Sequence, residues 1–169
     1  MEKHTGMITF GGNPLTLTGA LVKVGDKAKD FTVLANDLHP HKLSDYDGKI
    51  KIISVVPSVD TGICAAQTRR FNEEAAKMED VIILTISCDL PFALGRFCAA
   101  EGIDKVVTLS DHKETDFGLK YGFLIDELRI LARGIVVIDK AGVVRYVEYV
   151  KEVASHPDYD KALEAAKSL

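Results

Sequence analysis

The sequence predicts an α/β fold in which a parallel βαβ segment precedes an antiparallel hairpin and a closing helix. Three observations predict it. The runs 50–56 and 81–86 are β-branched and nearly continuous in apolar residues, as strands covered on both faces are. Between them Phe71, Ala75 and Met78 recur at helical spacing, with Arg69, Arg70, Glu73, Glu74 and Lys77 interleaved. Late in the chain, the runs 135–138 and 143–150 are joined by Asp139-Lys140-Ala141-Gly142, a hairpin turn.

The remaining elements follow in chain order. Residues 8–10 and 15–17 are short apolar stretches around Gly11-Gly12-Asn13-Pro14, a cluster of turn formers that predicts a small hairpin. Residues 31–34 read as another short strand. The strand 50–56 ends at Pro57, which has no N–H to give to a ladder, and a helix over 62–77 follows. Asp89-Leu90-Pro91 signals a second helix through Phe92, Leu94 and Phe97, stopped at Gly102. A strand at 106–109, a short helix at 115–121 and a final helix over 159–168 complete the chain. This order is the thioredoxin-like arrangement with an added N-terminal β-hairpin. No repeat, linker or shift of composition divides it, so residues 1–169 are expected to form a single domain.

Composition excludes several function classes. The 169 residues are 47% hydrophobic, enough for one well-covered core, and 27% charged with a formal net charge of −4. No basic field is present to grip phosphates, so nucleic acid is not an expected partner. No eighteen apolar residues follow one another, and residues 1–18 lack a secretion signal, so no membrane association is expected. Three cysteines are too few, and odd in number, for a disulfide-stapled secreted scaffold. They read as thiols in a reducing compartment, which places the chain in the cytoplasm.

The segment Pro57-Ser58-Val59-Asp60-Thr61-Gly62-Ile63-Cys64 leads from a buried strand into a helix. With Thr61 as N-cap, Cys64 is the third helical residue. Backbone N–H groups there lack intrahelical acceptors and the helix dipole adds positive potential, so both favour a thiolate on Cys64. An arbitrary cysteine near a helix start is more often structural, but the Thr and Pro context argues against that here. A thiolate attacks an O–O bond, a disulfide or an acyl carbon, so placement alone leaves three chemistries open.

Cys98 lies near the end of the second helix and forms no CxxC pair. Sulfurs on separate helices need not start within bonding range, and local unwinding would bring them together. Gly95 in that helix costs roughly 1 kcal/mol relative to alanine, which eases such opening. Arg133 precedes the strand 135–138, where a guanidinium either points into a site, stabilising a thiolate and holding a peroxide oxygen, or ends a strand in solvent; position alone favours neither. Arg69 and Arg70 add positive potential near Cys64, although charges on helices are usually solvated. Cys88 reads as a small buried filler. His39 and His41, in a polar loop without further ligands, are weak evidence for a metal.

Three readings compete with attack on an O–O bond. A thiol-disulfide oxidoreductase is disfavoured by the missing CxxC. A redox sensor using Cys64 and Cys98 would react stoichiometrically and stop. A cysteine hydrolase needs a positioned histidine base, and no histidine lies in a site segment.

The chain resembles the bacterial thiol peroxidases, the atypical two-cysteine branch of the peroxiredoxins, over nearly its whole length. Thr9-Phe10-Gly11-Gly12-Asn13-Pro14 resembles the family's N-terminal hairpin, and the segment 57–64 with Gln67-Thr68-Arg69-Arg70-Phe71-Asn72 its peroxidatic segment. Asp89-Leu90-Pro91-Phe92-Ala93 and Arg96-Phe97-Cys98 resemble its resolving segment, and Leu131-Ala132-Arg133 the position of its active-site arginine. The resemblance implies that Cys64 is the peroxidatic nucleophile and Cys98 the resolving cysteine. It implies that Thr61 and Arg133 orient peroxide and thiolate, and that Pro57 shields the sulfur. A Cys64 sulfenic acid and an intramolecular Cys64–Cys98 disulfide would form in turn, on hydrogen peroxide or an organic hydroperoxide, with thioredoxin as reductant. A homodimer without cofactor or metal is also implied. Cys88 and Gly95 depart from the family pattern.

Overall fold

Two successive glycines set the first turn. In the computed structural model, which describes residues 1–169, strands β1 (Lys3–Phe10) and β2 (Asn13–Thr18) pair with Phe10 opposite Asn13. Gly11 and Gly12, at φ +58° and +82°, are the whole turn. Positive φ at both central positions matches the twist of the flanking strands and is strained for other residues. The four-residue turn expected from the sequence is therefore a two-residue one, and Asn13 and Pro14 open β2 instead.

The central sheet is built from β3 (Thr32–Leu34), β4 (Pro40–Lys42), β5 (Ile50–Val55), β6 (Val81–Ser87) and β7 (Val107–Ser110). Two later strands, here β10 (Gly134–Ile138) and β11 (Val144–Tyr149), follow the short β8 (Leu124–Ile125) and β9 (Ile130–Leu131). Its order is β11-β10-β5-β6-β7-β3-β4, with β5, β6 and β7 parallel and the other pairings antiparallel. The helices are α1 (Gly62–Ala75), α2 (Pro91–Glu101), α3 (Asp116–Tyr121) and α4 (Tyr159–Lys167). This is the expected thioredoxin-like arrangement, and the hairpin extends into a second sheet, β1-β2-β8-β9. Strands β4, β8 and β9 were not expected from the sequence. At two or three residues each, they show no periodicity to read.

All six residues of β5 are buried, Lys51 included, as a strand at the centre of a two-sided sheet requires. Ile53 and Val55 face a core shared with Ile8 and Leu17 of the hairpin and Phe117 and Tyr121 of α3. Ile50 and Ile52 face the other side, against Phe71 of α1 and Ala162, Leu163 and Ala166 of α4. Phe71 is fully buried, which stabilises the α1 packing by about 1.5–3 kcal/mol. Helix α2 starts with Pro91 and ends at Gly102, whose φ of +66° lets its N–H bond back to the Cys98 carbonyl. Asp89 does not cap α2; its carboxylate serves the neighbouring loop.

Candidate active site

The site lies where the parallel strands β5 and β6 end, the usual crevice of an open α/β sheet. Beyond β5 the chain turns through 56–60 into α1, and Asp89, from the end of β6, holds that turn. Its oxygens accept Ser58 Oγ–H at 2.7 Å, Val59 N–H at 2.9 Å and Ser87 Oγ–H at 2.8 Å. Thr61 is the N-cap of α1, with extended backbone, and its Oγ1 accepts the Cys64 N–H at 3.3 Å. The next turn is tied in the same way, since Thr68 Oγ1–H donates to the Cys64 carbonyl at 2.9 Å. Cys64 is thus held at the third helical position and is fully buried among Val56, Val59 and Leu94. Pro57 is buried in the same turn, and Thr61 is exposed.

Arg133 reaches Cys64 from the start of β10. The residue is 2% exposed, so it does not end the strand in solvent. Its guanidinium makes three directed bonds. Nη2 donates to Cys64 Sγ at 3.0 Å, Nη1 to Gln67 Oε1 at 2.9 Å and Nε to the Val153 carbonyl at 2.7 Å. Gln67 is itself locked, because its Nε2 donates to Ser54 Oγ at 2.8 Å. None of the three acceptors of Arg133 is a carboxylate. An uncompensated buried cation is costly, and sulfur is the one partner able to carry the opposite charge. The arrangement is therefore suited to an anionic nucleophile with a fixed fork of donors beside it.

The structure brings Thr61, Cys64 and Arg133 together, with Pro57 in the adjoining turn. It does not bring Cys98 to them. Cys98 packs with the α1 and α4 cluster, its Sγ 3.4 Å from Thr108 Oγ1, and faces a groove lined by Ala35, Asn36, His41 and Ile103. Phe97 packs against both the Cys98 and the Cys64 clusters. All three cysteines are free. The Cys88 thiol is pushed up to about 12, by burial first and then by Asp111 and Asp89, so it is a protonated filler. His39 rests on the Asp37 carboxylate, which raises its pKa, and His41 on the Tyr46 hydroxyl.

From the sequence, Gln67, Ser54 and the Val153 carbonyl have no individual role, and Asp89 only that of a helix signal. Gln67 had a signal, since it lies three residues after Cys64 and so shares its helix face. The Val153 carbonyl had none, because every residue carries one.

The chain also has known relatives in sequence and in fold. The model of the Redoxin family matches residues 23–163. A thiol peroxidase of Oceanobacillus iheyensis is 62% identical over 156 residues, covering 92% of this chain and 95% of its own. A thiol peroxidase of Bacillus subtilis is 60% identical, with 96% and 97% covered. The crystal structure of a peroxiredoxin-like protein from Aquifex aeolicus superposes with a TM-score of 0.91 at 39% identity, covering 98% of both chains.

Proposed function

The chain belongs to the Redoxin family and within it to the thiol peroxidases, thiol-dependent enzymes that reduce peroxides, and we propose that Cys64 is its peroxidatic nucleophile and Cys98 its resolving thiol. The observation that carries this reading is the Arg133 Nη2–H to Cys64 Sγ bond of 3.0 Å inside a buried site. The Cys64 thiolate attacks the terminal oxygen of a hydroperoxide. The O–O bond breaks, the sulfur becomes a sulfenic acid, and the leaving oxygen takes a proton as water or an alcohol. Arg133 and Thr61 orient peroxide and sulfur, and Pro57 shields the sulfur from bulk water. Hydrogen peroxide and organic hydroperoxides are the proposed substrates.

Resolution follows when the Cys98 thiol attacks the sulfenic sulfur, forming the Cys64–Cys98 disulfide and releasing water. Phe97 must leave its contacts with the two clusters, so α2 opens locally, and Gly95 lowers the cost of that opening. A thioredoxin-type dithiol then exchanges with the disulfide, restoring both thiols and leaving as a disulfide itself. Further parts of this reading are a single redox domain over 1–169, a homodimer, thioredoxin as the physiological reductant and a cytoplasmic location. Family membership supports the first three, and three unpaired thiols support the last. No helix is long and apolar enough to cross a membrane.

The test is NADPH consumption coupled through thioredoxin and its reductase, with cumene hydroperoxide as substrate. Cys64→Ser is expected to abolish turnover and Cys98→Ser to reduce it sharply. Full activity in Cys64→Ser would overturn the assignment.

A further inference from the structure

Arg133 depends for its aim on a segment outside the central strands. Its carbonyl accepts the Val150 N–H at 3.0 Å, and its Nε rests on the Val153 carbonyl. The segment 150–155 has no regular structure beyond a bridge to Thr9, and its support is the N-terminal hairpin. Thr9 N–H donates to the Lys151 carbonyl and Val153 N–H to the Thr9 carbonyl, both at 2.8 Å.

The Glu152 carboxylate completes the joint. Oε1 accepts Thr9 Oγ1–H at 2.9 Å and Gly12 N–H at 2.8 Å, while Oε2 accepts Gly11 N–H at 3.1 Å and Ala154 N–H at 2.8 Å. The two glycine N–H groups converge because both residues have positive φ, making a small anion-binding concavity at the tip of the hairpin. With two donors on each oxygen, both oxygens must be acceptors. A glutamine side chain, carrying NH₂ in place of one oxygen, cannot hold all four.

We infer that Glu152 is a positioning residue of the peroxidase reaction: it ties the turn at 151–154 to the N-terminal hairpin and thereby fixes the Val153 carbonyl on which the Arg133 guanidinium is seated. The inference rests on the roles of Cys64 and Arg133 given above. The hairpin is then part of the active-site scaffold, and Glu152 acts on the sulfur through Arg133 without touching the peroxide. Hydrogen bonding from Ala154 and Gly12 holds the carboxyl down at about 2, so the joint stays charged at neutral pH.

A double-mutant cycle separates this role from general stabilisation. The rate of Cys64 oxidation by hydrogen peroxide, followed by rapid quenching and mass analysis, is compared in the unaltered chain, Glu152→Gln, Arg133→Ala and the double variant. Misaimed catalytic groups cost rate steeply, so Glu152→Gln is expected to slow oxidation about 10-fold where Arg133 is present and less than about 2-fold where it is absent. Thr9→Val removes a single donor and is expected to slow oxidation by about threefold, again only with Arg133 present, which decides the matter if Glu152→Gln fails to fold. An unchanged rate in folded Glu152→Gln, or an equal loss in both backgrounds, would overturn the inference. Arg133→Ala as fast as the unaltered chain would overturn the underlying role of Arg133 as well, and is read from that variant alone.

Discussion

Cys64 and Cys98 both lie on helices that follow parallel strands, yet their surroundings differ in every respect that matters to a thiol. Cys64 is at the start of α1, fully buried, with its N–H capped by Thr61 and its sulfur under the Arg133 fork. Cys98 is near the end of α2, half-buried, at the negative end of the helix dipole, and its sulfur has only the Thr108 hydroxyl. One end is built to hold charge in a fixed place. The other carries a glycine, Gly95, with only Asn36 Cβ near the missing side chain, at 3.9 Å. The contrast teaches that the fold assigns rigidity to the step that needs aimed donors and looseness to the step that needs movement.

The largest way to break this contrast is at the rigid end. Arg133→Ala is expected to slow Cys64 oxidation by about 10²–10³, the range found when one aimed donor is removed from a reacting centre. Arg133→Lys keeps the charge but loses the fork, so stopped-flow rates should recover only in part. At the loose end, Cys98→Ser is expected to keep the first oxidation at the unaltered rate and to lose thioredoxin-supported turnover. A single burst of peroxide consumption, equal to the enzyme present, is the signature.

Gly95→Ala sharpens the comparison. The site accepts a methyl group without a clash, and alanine should stabilise α2 by about 1 kcal/mol, slowing disulfide formation about fivefold while leaving Cys64 oxidation unchanged. Equal rates of disulfide formation would show that α2 does not open in that step. The anchor beneath Arg133 has its own signature in stability against pH. Glu152 is lowered in the folded chain to about 2, so its contribution is present above the ordinary carboxylate range and fades as pH falls toward 2. Denaturant titrations should show a shallower loss over that range in Glu152→Gln. The smallest effect is expected at Cys88: its thiol stays protonated until about pH 12, so Cys88→Ser should leave turnover unchanged.

Much of this was legible in the sequence, and for physical reasons. Buried parallel strands are continuous in apolar residues, so β5 and β6 announced themselves, and Gly11-Gly12 marked the hairpin. Thr61 three residues before Cys64 is a cap with a reason to be there. Arg133 was visible as an odd neighbour of apolar residues, but its direction was not, because direction follows from the Val153 carbonyl twenty residues later. Gln67 lies in the same helix segment as Cys64, but only its pairing with Ser54 and Arg133 shows that it orients the fork. The small strands β8 and β9 are invisible in the sequence because each exists only through pairing, β8 with β2 of the hairpin and β9 with β8.

The most direct test of the central claim is where the first oxygen lands. Reduced enzyme treated with one equivalent of hydroperoxide and mapped by peptide mass analysis should show a Cys64–Cys98 disulfide. In Cys98→Ser the same treatment should leave a trapped sulfenic acid on Cys64 and an unmodified Cys88. Oxidation appearing first on Cys88 or Cys98, with Cys64 still reduced, would contradict the account.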